Sequence, residues 1–291
     1  MADAPRGQQP HRYLGLELAG AKNQKTTLAA LEYYPKEGKI FLLDIYDKIS
    51  GADDQTGDEA LLEVIQEIKS SSNEADIKMG VNVPLAFPPC VHCTRRVCPL
   101  PKKCTVPAVK WMRDQTKKAA KNPDLDIRVR EFTPYTQRPI ELWVRYQLLS
   151  QLPEGAFFEI DETLGGNKAP LTARMAFLIR QLKDISLVEV WPKLTVAVLA
   201  SDLGISKRHI STYRHLEEGI YAREEILEKL IAAHDIFIYD RDLKKLAASL
   251  TCFDAFICAY TALMSDRGQT AKMPSGFPLS TGWIEYPELS E

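Results

Sequence analysis

"RYLGLELAG", residues 12–20, reads as an extended strand that ends in small residues and carries one acid, Glu17, inside it. Two further extended stretches follow, TTLAALEYY at 26–34 and KIFLLDIYDKI at 39–49, separated by the turn-forming interval PKEGK. Three antiparallel strands in a meander fit this pattern best. TGDEALLEVIQEIKSS then places apolar residues at 61, 62, 65 and 68, one face of a helix, and DIKMGVNVPLAF returns to strand character. The order β-β-β-α-β opens an α/β fold in which a mixed sheet is flanked by helices.

The second half is mostly helical. PIELWVRYQLLSQL (139–152), APLTARMAFLIRQLKD (169–184), EEILEKLIAA (224–233) and DLKKLAASL (242–250) each carry helix-period apolar positions, and one short strand, SLVEVWPKL (186–194), interrupts them. TCFDAFICAYTALMSD (251–266) is apolar nearly all round, which predicts a helix buried against the sheet with Asp254 as its exception. STGWIEYPE (280–288) reads as a short strand or hairpin. With 291 residues and 45% hydrophobic content, the chain is expected to form one domain over 12–287, between a loose tail (1–11) and a short one (288–291). The opening MADAPRGQQPHR lacks the apolar centre of a secretory signal, and no apolar run reaches the length of a membrane span. A soluble cytoplasmic protein without a membrane partner is the expectation, and the oligomeric state is not legible.

The fourth strand runs into a segment of different chemistry. Cys90, Cys93, Cys98 and Cys104 have the spacing C-x2-C-x4-C-x5-C within an insertion expected over 88–130. In a reducing compartment clustered thiols read as metal ligands rather than disulfides, and four of them complete a tetrahedral Zn²⁺ site; an iron–sulfur cluster and uncoordinated thiols are the alternatives. From Arg95 to Arg130 eleven Lys/Arg face three Asp, a net of +8 that leaves −10 on the rest of a chain whose total is −2. Pro107 is placed to open a basic helix through about Lys121, with Lys110, Arg113, Lys117 and Lys121 on one face. That face suits nucleic acid, and it equally reads as a solvated surface or as countercharge to a thiolate site.

Particular stretches, in order, sharpen the reading: GLELAG (15–20), NVPLAFP (82–88), GGNKAPLTAR (165–174), VEVWP (188–192), DAFICAYTA (254–262) and GWIEYP (282–287). Together they resemble an uncharacterised prokaryotic family of predicted ribonuclease H-like nucleases, from about residue 12 to 287. The resemblance implies a ribonuclease H-like mixed sheet, three antiparallel strands followed by parallel additions. It also implies a cluster of metal-binding acids at Glu17, the position of Asn82, Glu189 and Asp254, with Mg²⁺ or Mn²⁺ as cofactor. Glu17 stands where the family usually shows Asp, and Asn82 where an Asp is expected, so one ligand is a methylene longer and another has lost its charge. Lys168 and Arg174, beside GGNKAPLTAR, would neutralise phosphate or simply balance acids in a structural network. Each acid alone has a plain structural reading, as a solvated strand residue, an ion-pair partner or a cap. Glu141, Glu159 and Asp161 are substitutes for the lost ligand.

The function expected from this is a divalent-metal-dependent nuclease or nuclease-like phosphodiesterase acting on nucleic acid. The alternatives are a catalytically weakened nucleic-acid or protein binding module on the same fold, and an actin-like kinase or ATPase, which would need a second glycine-rich phosphate turn. ASDLGISKRHISTYR (200–214) has helix-turn-helix spacing, but the pattern is short and common.

Overall fold

The computed structural model describes residues 10–20, 26–52, 54–71, 77–123, 125, 128–153, 156 and 158–289. Among these, six strands form one sheet: β1 (His11–Glu17), β2 (Thr26–Tyr34), β3 (Lys39–Ile49), β4 (Ile77–Val81), β5 (Ser186–Glu189) and β6 (Ile236–Phe237). Their spatial order is β5-β4-β1-β2-β3-β6. The first three are antiparallel, β4 and β5 add in parallel beside β1, and the two-residue β6 adds in parallel beside β3.

Period-two alternation gives the sheet two buried faces. Leu14, Leu16, Leu28, Ala30, Met79 and Val81 point to one side, where they meet Leu61 and Ile65 of α1 (Gly57–Ser70) and Met175 and Leu178 of α4 (Lys168–Leu178). Tyr13, Ala29 and Leu31 point to the other, against α5 (Pro192–Asp202), α7 (Gly219–His234) and α9 (Leu250–Asp266). α1 begins at a reciprocal cap in which Thr56 and Glu59 satisfy each other's backbone N–H. α2 (Pro107–Ala119) and α3 (Pro139–Trp143) pack together outside this sandwich, and α3 continues through a π turn (Val144–Leu148) and a 3₁₀ turn (Leu149–Gln151). α6 (Lys207–Thr212) and α8 (Asp240–Ala248) complete the helices described.

The placement of α9 depends on two glycines. Gly15 and Gly80 stand opposite each other in the β1/β4 register. A Cβ on Gly15 would lie 1.9 Å from the Ala255 carbonyl oxygen, and one on Gly80 2.2 Å from that of Cys258. Only bare backbone lets the helix lie this close, and the contact sets Asp254 over the end of β1.

Several expectations shift in detail. The strand at 186–194 stops at Glu189, because Pro192 sits at the first helical position and opens α5. The basic helix ends at Ala119, short of Lys121. Residues 280–288 hold a 3₁₀ turn (Leu279–Thr281) and single bridges, Val190 to Glu285 and Thr270 to Pro287, rather than a hairpin. The helix-turn-helix look-alike spans α5 and the six-residue α6, with Ile205 and Ile210 buried in the main core. β1 already begins at His11; the expected tails over 1–9 and 290–291, and Asp124 and Asp126 of the basic segment, lie outside the described residues. No single helix among those described is long and apolar enough to cross a membrane. α8 and α9 together would have the length, but they bend by 112° and α9 is the core of the fold.

Candidate functional site

The C-terminal ends of β1, β4 and β5 converge on one corner. Glu17 is the last residue of β1 and, by alternation, faces the α9 side with Gly15. Asn82 follows β4 and stays in the ladder through its N–H to the Leu16 carbonyl, 3.1 Å. Its Nδ2 donates to Glu17 Oε2 over 2.7 Å, while Lys168 Nζ, at the start of α4, reaches the Asn82 carbonyl at 3.3 Å and Oδ1 at 3.5 Å. Asp254, buried in α9, accepts both its contacts from Arg214 Nη1, at 2.9 and 3.1 Å.

Burial, and then the charge of Asp254, push Glu17 up to about 7 against the opposing pull of Lys168, Asn82 and Arg214. Burial raises Asp254 too, against Arg214. Two like charges from different elements, brought within electrostatic reach in the interior, give a carboxyl that exchanges its proton near neutrality. Cys258, one turn further along α9, is raised by burial and then by these two acids.

Glu189 ends β5 and is fully buried. Arg138 Nη1 and Nη2 donate to its two oxygens at 2.7 and 2.6 Å, Leu85 N donates at 2.9 Å and Trp191 Nε1 at 3.1 Å. Arg138 also binds Glu141 through Nε, 3.1 Å, and its own backbone N–H, 2.8 Å, and Thr163 Oγ1 donates to the same carboxylate. Burial raises Glu141, with Arg138 opposing. Glu189 therefore ties strand, loop and α3 together, and its lone pairs are occupied.

A cleft of about 370 Å³ opens at this corner. Its lining includes Glu17, Asn82, Lys168, Lys193 and Arg214, the exposed acids Glu159 and Asp161, and the aromatic side chains of Phe158 and Trp191. Lys193 lies 3.9 Å from Asp161; burial and then Arg214 lower its affinity for a proton. Asp254 and Glu189 sit behind Arg214 and Arg138, the cations that line the cleft in their place. Arg174 is elsewhere: it binds Asp58 at the start of α1 at 2.7 Å and the Ala19 carbonyl at 2.5 Å, locking α4 to the end of β1.

The cysteine segment folds back on itself. Arg113 Nη1 donates to the carbonyls of Pro101, Lys102 and Cys104, each at 3.0 Å, so this cation holds the loop, while Lys110, Lys117 and Lys121 are exposed. Cys104 is buried, Cys93 and Cys98 are exposed, and the thiol of Cys90 is raised by burial and then by the other three, which puts all four within electrostatic reach. None is disulfide-bonded.

Among the described residues no three Cys, His, Asp or Glu side chains converge as a ready set of metal ligands. At the acid corner Glu17 lines the cleft, while Glu189 is taken by Arg138, Asp254 by Arg214, and Asn82 turns its NH₂ toward Glu17. With Arg214 displaced from Asp254, two carboxylates would suit a single Mg²⁺-type ion completed by water, and not a pair of ions.

Sequence reasoning named Glu17, Asn82, Lys168 and Asp254, which the fold brings together, and missed Arg138, Arg214, Lys193, Phe158 and Trp191. Residues 167–278 match the family described as Protein of unknown function (DUF429). The matched stretch runs from the start of α4 past α9 and includes Lys168, Glu189, Lys193, Arg214 and Asp254, whereas Glu17, Asn82 and the four cysteines fall outside it. No curated protein and no solved structure matches the chain.

Proposed function

We propose that the protein is a nuclease-like phosphodiesterase of the ribonuclease H-like class, working on nucleic acid with one Mg²⁺ or Mn²⁺ ion. The observation that carries this is Glu17 at the wall of a cleft lined by Lys168, Lys193 and Arg214, held near 7 by burial and then by the charge of Asp254 behind it. A purely structural corner gains nothing from two like charges there, whereas a cation between them relieves the repulsion. The strand order, an antiparallel trio extended in parallel by β4 and β5, supports the ribonuclease H-like reading. When bound, the ion supplies Lewis acidity and an activated water for attack on phosphorus. The chain's own share is to hold the ion on Glu17 and Asp254, to neutralise the phosphate with Lys168 and Lys193, and to keep loop 82–88 in place through Arg138 and Glu189. Arg214 balances Asp254 when no ion is present.

For the cysteine segment we propose a structural Zn²⁺, with an iron–sulfur cluster as the alternative. The C-x2-C-x4-C-x5-C spacing of unbridged thiols supports it, and the thiols, which do not converge as a ready ligand set, would draw together on the ion.

The deciding experiment is a Mg²⁺- and Mn²⁺-supported cleavage screen over single- and double-stranded DNA and RNA. Glu17→Gln and Asp254→Asn are expected to lower cleavage at least about 100-fold with the fold intact; equal cleavage in both variants would overturn the assignment. A second reading, a binding module that no longer cuts, is favoured by Asn82 and by the Arg214 contact on Asp254. Binding without cleavage at any ion concentration selects it.

A further inference from the structure

The same cleft has a chemistry that the acid pair does not use. Its lining includes three cations besides Arg138, namely Lys168, Lys193 and Arg214, together with two aromatic side chains, the half-buried Phe158 and Trp191. Trp191 is held by the bond from its Nε1 to Glu189, so its ring is fixed before any ligand arrives. Lys193 approaches Asp161 only to 3.9 Å, which leaves its head available to an anion. The volume, about 370 Å³, lies at the low end of small-molecule pockets, roughly 300–1,000 Å³.

We infer that the cleft takes one unpaired nucleotide, its base against Phe158 and Trp191 and its phosphate against Lys168 and Lys193, so that the substrate is single-stranded nucleic acid and not a duplex. This rests on the phosphodiesterase reading and narrows its substrate class. Aromatic faces accept any base by stacking, while fixed cations track the phosphate, the combination that single-strand binding requires. A paired base cannot present its face, and a cleft of this size holds one nucleotide rather than a base pair. The exposed acids Glu159 and Asp161 in the lining repel additional backbone, which restricts the phosphates that approach to those reaching Lys168 and Lys193.

The test is equilibrium binding of the full chain in EDTA, where no metal-dependent cutting occurs. The probes are a short single-stranded oligonucleotide, the same sequence as a duplex, a nucleoside monophosphate, the bare nucleoside and inorganic phosphate. The single strand should bind at least about ten-fold more tightly than the duplex, and the monophosphate should compete with it better than nucleoside or phosphate alone. Phe158→Leu, which keeps an apolar side chain in a partly buried position, should weaken the single strand about ten-fold, and Lys193→Ala should flatten the salt dependence by about 0.7. Thermal melts of both variants establish that they are folded. Equal affinity for duplex, or unchanged single-strand binding in both folded variants, would overturn the inference. Failure of the cleavage screen alone would remove the nuclease reading and leave this binding result standing.

Discussion

Asn82 Nδ2 donates to Glu17 Oε2 over 2.7 Å, so the side chain that replaces an expected acid is also the one that steadies the acid that remains. Asn82→Asp should exchange that bond for a repulsion. Without divalent ion the variant should lose about 1–3 kcal/mol at neutral pH, and with Mg²⁺ or Mn²⁺ it should recover and bind the ion about ten-fold more tightly. Thermal melts and calorimetric titration with and without the ion measure both effects.

The acid pair also predicts a pH dependence. Glu17 is pushed from an ordinary 4.5 to about 7, and Asp254 moves in the same direction. The folded state thus holds these protons more tightly than the unfolded chain does. The Glu17 contribution is fully present below its unfolded value and is lost as pH rises through about 7. Metal-free protein should therefore lose thermal stability across that window, and Glu17→Gln should flatten the curve. An unchanged profile in the variant would place the titration elsewhere.

Removal of Arg138 should be severe, because it would leave Glu189 and Glu141 buried without their cation. Arg138→Met is expected to cost about 3–5 kcal/mol in chemical denaturation. Adding Glu189→Met should return part of that loss, since apolar packing replaces the orphaned charge. A loss below about 1 kcal/mol would mean that water reaches the network.

Gly80→Ala should drive α9 away from the sheet, because the new Cβ meets the Cys258 carbonyl oxygen at 2.2 Å. A destabilisation of about 1–3 kcal/mol is expected, together with loss of any divalent-induced rise in melting temperature. Gly57→Ala, where the nearest atom is 4.0 Å away, serves as the control and should be nearly neutral.

The cations of the insertion divide into two kinds. Replacing Lys110, Lys117 and Lys121 by alanine should flatten the salt dependence of nucleic-acid binding by about two to three units. Arg113→Ala should instead loosen the cysteine loop, whose three carbonyls it holds. Elemental analysis should find one zinc per chain and less in Arg113→Ala; iron with acid-labile sulfide would select the cluster, and protein purified without metal would remove the site.

The framework was legible wherever local period sufficed. The β-β-β-α-β opening and the all-round apolar α9 follow from side-chain spacing, and Asp254 stood out as a lone charge on a buried helix. The partners of the acids were not legible, because the bonds that define them join residues 51 and 40 positions apart, Arg138 to Glu189 and Arg214 to Asp254. Distance in sequence also hid the roles of Arg174 and Arg113. Arg174 pairs with Asp58 and the Ala19 carbonyl, and Arg113 spends its guanidinium on the carbonyls of Pro101, Lys102 and Cys104. Tyr213-Arg214 lay inside the helix-turn-helix look-alike, where the arginine had no local feature to mark it.

The glycine pair has a consequence for how this protein fails. Because Gly15 and Gly80 seat α9 by direct backbone contact, the spacing of Glu17 and Asp254 is set by the main chain and has no side-chain layer in which to relax. Active-site order and the global fold then share one melting event: heat or denaturant should not produce a folded but disorganised site. Amide protons of β1 and β4 should exchange through the same global opening that releases α9.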